Sequence, residues 1–171
     1  MTEPNDSPTS VIVNFVASGE VILVVGPEQL QLRASSRVLK TASKPAVNPA
    51  KYPLPEDNAI AMKYICAVIH HQNNMLPRPI NAQDIFEMSV IVDRYDFFGA
   101  LEFASDAWLA HKDESPRGLI HLTAAAYIFQ NAEAFKKNTS ALVLTYGGSF
   151  LDLAAEDVQS VLDWEIVREC F

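Results

Sequence analysis

Only two cysteines, Cys66 and Cys170, occur in 171 residues, and they stand far apart. Two thiols make no disulfide framework and suit a reducing compartment. Cys66 lies in an apolar run and reads as a small core residue. Grouped positive charge is also scarce. Thirteen Lys and Arg stand against 21 Asp and Glu, a net charge of −8 with a pI near 4.9. That excludes a broad nucleic-acid face, which needs clustered cations on phosphates, and argues against adhesion to anionic membranes. No apolar run approaches the length of a membrane span. The opening "MTEPNDSPTS" has no basic start and no apolar stretch, so it does not read as a signal peptide. No repeat and no low-complexity tract is present. A cytoplasmic or nuclear protein is expected.

What is present is ordinary globular composition, 49% apolar and 20% charged. A chain of this size can bury roughly 70% of its unfolded surface, so it needs neither disulfide nor metal to fold. Residues 1–10 are polar with two prolines and read as a disordered tail. "VIVNFVA" is rich in β-branched residues and predicts a strand. A turn at Ser18 and Gly19 leads into "EVILVV", a second strand. "GPEQ" is a turn with Pro27 at its second position. "QLQLR" alternates strictly, with Leu30 and Leu32 on one face. These three strands are expected to form a hairpin or small meander. "SSRVLKTA" predicts a short helix capped by Ser35 or Ser36, with Val38, Leu39 and Ala42 inward. The next stretch, "SKPAVNPAKYPLPEDN", carries four prolines and cannot be helical along its length. Its "KYPLP" suits an extended edge segment.

From Asn58 the period becomes helical. Ile60, Tyr64, Ile65, Val68 and Ile69 are expected to share one face. Asn81 caps the next helix, with Asp84 completing a capping-box-like pair, and Ile85, Met88, Ile91, Val92 and Tyr95 point inward. A helix from about Phe98 to Ala110 buries Leu101, Ala104 and Trp108. "HKDESPRG" breaks the pattern and is the candidate internal boundary. Helices near 117–129, 132–145 and 155–169 follow. The last carries Val158, Val161, Leu162 and Ile166 on a stripe and reads as a helix docking within the chain.

Candidate sites are few. In "CAVIHHQNN", Cys66 and His70 share a helix face, while His71 points about 100° away. Two ligands on one helix are half a zinc site, and no spacing recruits His111, His121 or Cys170 to complete it. The simpler reading places His70 and His71 at a helix end, as imidazolium meeting unpaired carbonyls. Gly147-Gly148-Ser149 lacks the lysine of a P-loop and the flanking glycines of a nucleophile elbow, and reads as a turn. Asp93 and Asp96 read as solvated carboxylates rather than a catalytic pair. Lys136-Lys137 is too short for a nucleic-acid patch. Tyr95, Phe97, Phe98, Phe103 and Trp108 read as core. No catalytic, metal or cofactor residues are assigned.

The order strand, strand, turn, strand, short helix, extended segment, helical pairs resembles the BTB/POZ family, specifically its fungal branch. "GEVILVVG" and "LQLRASSRVLKTAS" carry the resemblance, the second fitting an S-x-x-L-x-x-x-S helix as Ser36, Leu39 and Ser43 (with Ser35 where a histidine is common). "PLPEDNAIAMKYICAVIHHQNNMLP" resembles the family's third-strand exit, next helix and loop. "VIVDRYDFFGAL" and "WLA" resemble the following helical pair, and "ALVLTYGGSFLDLA" the helical extension of fungal members. Paired histidines are typical of that branch. The likeness covers roughly residues 18–155.

The resemblance implies an α/β (α+β) fold: a small three-stranded sheet covered by helices, with a C-terminal helical extension. The expected organisation is a tail over 1–10, a BTB/POZ-like domain over 11–112 and the extension over 113–171. It implies a protein-interaction module that self-associates or recruits protein partners, as a ubiquitin-ligase substrate adaptor on a cullin-type scaffold or in a transcriptional complex. The rival classes are a hydrolase with an unrecognised site and a degenerate relative without retained binding. Leu39, Ile65 and Trp108 are the expected structural residues. Val11, Val13, Phe15, Val38 and Leu39 are the expected interface, since family dimer contacts fall there. One departure stands out. The family continues past this helix with a second helix bearing a phenylalanine and a methionine; here Ser43 is followed by "KPAVNPAKYPLPED". The loss predicts an exposed apolar groove beside the short helix, and weak or absent cullin binding.

Overall fold

A computed structural model describes residues 12–42, 51–111, 113, 115–148, 153 and 156–162. The N-terminal tail, Val11, the stretch after the first helix, Cys170, Ile166 and the end of the last expected helix lie outside the described residues. The fold is mixed α/β.

The sheet has four strands, not three. They are β1 (Ile12–Asn14), β2 (Val21–Val25), β3 (Leu30–Ala34) and β4 (Lys51–Leu54), in the order β1-β3-β2-β4. β2 and β3 form the expected antiparallel hairpin, with Leu23 opposite Leu32. The turn at Gly26–Gln29 is closed by the Gln29 N–H on the Gly26 carbonyl at 3.1 Å. Gly26 takes φ +73°, a conformation costly to any side chain. β1 does not continue a meander. It turns back and pairs parallel with β3, placing Val13 opposite Leu32. The proline-bearing "KYPL" becomes β4, parallel to β2 at the far edge. Gly19 makes this turn possible: a Cβ there would stand 2.7 Å from the Ala34 carbonyl oxygen.

Six longer helices and one short one accompany this sheet among the described residues, most of them packed on one another. α1 is Ser36–Ala42, α2 Ala59–Ile69, α3 Ala82–Tyr95, α4 Phe98–Leu109, α5 Pro116–Ile128, α6 Ala132–Thr145 and α7 Glu156–Gln159. Their starts follow local chemistry. The Asn58 side chain accepts from the N–H groups of Ile60 and Ala61, and that of Asn81 from Asp84, as capping requires. Asn81 Nδ2 also donates to Asp84 at 2.8 Å, closing the expected pair. Ser115 caps α5, with Pro116 in the first turn where its missing N–H costs nothing. α3 ends at Asp96, in left-handed conformation at φ 56°.

One hydrophobic core runs through the whole arrangement. Val25, Leu32, Ile65, Phe86, Met88, Leu122, Leu142 and Val158 are all fully buried in it. α5 lies against α3, with Phe86 stacked on His121 at 5.7 Å between ring centres, so the helices after residue 113 share the core of those before it. Ile65 and Trp108 sit in this core. Leu39 is only partly buried. Ile60, expected inward, is 49% exposed. α2 is apolar nearly all round, so its inner stripe falls on Ala61, Met62, Ile65, Cys66 and Ile69 without a contrasting polar face to mark it. Phe103, expected as core, is 87% exposed on α4.

Among the described residues, two side-chain polar atoms are buried without a partner, Asn138 Nδ2 and Thr139 Oγ1 on α6. A buried group left unsatisfied costs its desolvation, so removing it is cheap. Thr139→Val, which keeps the shape, should leave the melting temperature unchanged or raise it by the equivalent of up to about 1 kcal/mol. By contrast, Ile65→Ala should cost about 2–5 kcal/mol and Trp108→Ala about 3–5. Leu39→Ala should cost about 1–2, a fraction of a full burial. Thermal and urea unfolding of the four variants checks this order.

Candidate functional site

An apolar cleft of about 130 Å³ opens beside α1, the place where the shortened connection predicts a groove. Its floor is the inner face of the sheet, Val21 and Leu23 of β2 with Tyr52 and Leu54 of β4. Those four share a face because Leu23 pairs with Tyr52 and Val25 with Leu54, and alternate residues point the same way. α1 supplies one wall with Ser36, Leu39 and Lys40. Met62 of α2, with Tyr95 at the end of α3 and Phe97 just beyond it, supplies the other. Leu39, counted both as core and as interface from the sequence, is thus the apolar side chain of α1 that faces the cleft. A space of this size takes one aliphatic or aromatic side chain; an engineered cavity of about 150 Å³ holds benzene.

Two polar constellations hold the walls in place. At the first, Ser36 of α1 donates from its backbone N–H to Glu20 at 3.1 Å and from its hydroxyl to the same carboxylate oxygen. The Ser36 hydroxyl is the main cause that holds the Glu20 carboxyl below the usual carboxylate range. One residue earlier, the Ser35 N–H donates to His70 Nε2 at 3.1 Å. His70 Nδ1 lies 2.8 Å from the Cys66 carbonyl, an acceptor only, so Nδ1 carries the proton and Nε2 the lone pair. Phe15 stacks on the same ring, with centres 5.6 Å apart. Burial pushes the His70 pKa down, opposed by the Cys66 carbonyl.

This geometry corrects two expectations. His70 meets a helix carbonyl, but as a neutral imidazole and not as imidazolium. Phe15, expected at an interface, is buried against that imidazole. Alternation sends its side chain inward, and the turn after it brings it to the end of α2. Of the other expected interface residues, Val13 and Val38 are partly buried against the core. His71 turns away at φ 60°.

The second constellation was not read from the sequence. Asp57, just before α2, is buried. It accepts from Arg94 through one carboxylate oxygen and from the Tyr95 hydroxyl at 2.5 Å through the other. Burial and the Asp57 carboxylate together push the Tyr95 phenol well above its ordinary value. The contact ties the turn after β4 to the end of α3, and Tyr95 lines the cleft. Its partners stand in "DRYDF", as the arginine and tyrosine between Asp93 and Asp96. Asp93 is exposed and Asp96 ends the helix.

No group of three His, Cys, Asp or Glu side chains comes together among the described residues. His70 can ligate an ion only by giving up the Ser35 N–H or the Cys66 carbonyl. The Cys66 thiol is buried and its pKa is pushed up to about 12, so it is not poised as a thiolate nucleophile. Among the described residues no helix is long and apolar enough to cross a membrane. The chain matches no protein-family model, no curated protein and no solved structure.

The Asp57 constellation generates a stability test. The Arg94 side chain is 45% exposed, whereas that of Asp57 is 2% exposed. Arg94→Ala therefore leaves a buried carboxylate short of a partner and should cost about 1.5–3 kcal/mol, more than an exposed ion pair would. Arg94→Ala and Asp57→Ala together should cost less than the sum of the singles in chemical denaturation.

Proposed function

We propose that the chain is a BTB/POZ-like protein-interaction module that associates with a second copy of itself through β1 and α1. The observation that supports this reading most directly is the cleft beside α1. Six aliphatic, thioether or phenyl side chains and two tyrosines line it, with Ser36 and Lys40 beside them. Apolar lining of this kind favours a protein side chain as occupant over a charged small molecule. The sheet edge points the same way. Among the described residues β1 is the outermost strand, and Ile12 on it is 37% exposed.

On this reading the module works by holding proteins together, without catalysis or cofactor, in the cytoplasm or nucleus. Its family-like roles are as a substrate adaptor for a cullin-type ubiquitin ligase or as a member of a transcriptional complex. The departure after Ser43 makes weak or absent cullin binding the expectation.

Removing residues 1–17 is not a clean test, because it takes away the buried Phe15 as well as β1. Two surface changes are cleaner: Ile12→Lys on the edge strand and Leu39→Glu at the cleft. Sedimentation velocity across a concentration series should show a dimer for the parent protein. Both variants should shift it toward monomer, with Ile12→Lys leaving the melting temperature within about 0.5 kcal/mol equivalent. A parent protein that stays monomeric at every concentration would refute self-association, and variants that dimerise like the parent would refute the part given to β1 and α1. Co-precipitation with a purified cullin N-terminal domain decides the adaptor role separately.

A further inference from the structure

We infer that His70 is an acid-sensitive latch on α1: protonating its ring releases the N-terminal end of α1 and takes down that wall of the cleft. The inference concerns the fold alone and stands whether or not the cleft receives a second copy.

The geometry leaves the ring no neutral way to accept a proton. Nδ1 already carries one, given to the Cys66 carbonyl at 2.8 Å. The remaining lone pair, on Nε2, is spent on the Ser35 N–H at 3.1 Å. A second proton would set N–H against N–H, so His70 and Ser35 must part. His70 is 7% exposed and Phe15 covers its face, so the imidazolium would also have to be hydrated at the cost of opening this contact.

The charges around the ring give no compensation. From α2 come the buried, neutral Cys66 and His71, whose charge opposes a second cation. Just after β1 comes Phe15, which carries no charge. From the β3–α1 junction comes Ser35, and beyond it Glu20, already taken by Ser36 and flanked by Arg37. No carboxylate is seen to stabilise an imidazolium at His70 among the described residues.

What is latched is small enough to be released locally. α1 has seven residues, too few to be stable as a helix alone. Its start is held by the Ser35–His70 and Ser36–Glu20 contacts, and its outer turn supplies Leu39 and Lys40 to the cleft. The sign follows from linkage. A histidine neutral in the fold and chargeable in the released state binds its extra proton only on release. The latch is fully closed above the ordinary histidine pKa of about 6.5 and weakens as pH falls below it.

The experiment follows the full chain by NMR from pH 8 to pH 5. Ring nitrogen shifts of His70 report its tautomer and titration. Amide exchange across residues 35–40, corrected for intrinsic rate, reports α1. His70→Gln keeps an acceptor for Ser35 but cannot be charged. The expected result has three parts. At pH 8 the proton sits on Nδ1. His70 titrates below a free histidine, and protection of α1 falls with the same midpoint while that of α3 does not. In His70→Gln the protection of α1 becomes flat with pH. A His70 that titrates at or above about 6.5, or equal loss of α1 protection in both proteins, overturns the proposal. If His70→Gln does not fold, the parent alone decides: different midpoints for the ring and for α1 overturn it equally.

Discussion

A single imidazole joins the three segments that carry the α1 wall of the cleft. His70 closes the C-terminal end of α2 through the Cys66 carbonyl, receives the Ser35 N–H where β3 becomes α1, and carries Phe15 from the end of β1 on its face. Three segments distant in sequence meet on one ring. Each contact fixes a different degree of freedom. The Cys66 contact fixes the tautomer, the tautomer gives Ser35 an acceptor, and the stacking fixes the plane of the ring. Beside it at the start of the short helix stands the exposed Ser36–Glu20 contact, which water competes for.

Asp57 does for the opposite wall what His70 does for this one. A buried carboxylate must be paired, and Asp57 is paired twice, by Arg94 and Tyr95. The strand β4 enters the turn that carries Asp57, and the end of α3 carries its partners. The two walls of the cleft are therefore each held by a polar contact between residues 35 to 38 positions apart. Contacts of that range select one arrangement of elements; the apolar core beneath them supplies the bulk of the burial.

What could be read in advance follows from this division. Helix starts at Asn81 and strands such as "EVILVV" are local, so spacing and residue type sufficed. Capping, turn chemistry and the α3 stripe are likewise written in adjacent residues. Ile60 was misplaced because an all-apolar helix has no polar side to orient it. The sheet was undercounted because β1 pairs with β3 and β4 with β2, and parallel neighbours leave no turn signature between them. The neutral state of His70 depends on Ser35, and the role of Asp57 on Arg94; neither partner is a neighbour in sequence. The cleft itself was legible only as a deficit, apolar side chains missing where a resemblance led one to expect them.

The two edges of the sheet are not equivalent, and this bears on how a second chain can approach. On β4 the Leu54 carbonyl accepts from Gly26, so the backbone of Leu54 and Tyr52 faces β2 and that of Pro53 faces outward. Pro53 has no N–H to offer, so this edge cannot run a continuous ladder with another strand. On β1 the Phe15 N–H donates to Arg33, so Phe15 and Val13 face β3 while Ile12 and Asn14 face outward. Both of these can donate, although the Asn14 side chain already reaches the Ile12 carbonyl at 3.4 Å, near the long limit for a hydrogen bond. Among the described residues this edge is three residues long with one weakly occupied acceptor, short enough to avoid indiscriminate pairing. The cleft lies across the sheet from this edge, floored by β2 and β4 with β3 between them and β1.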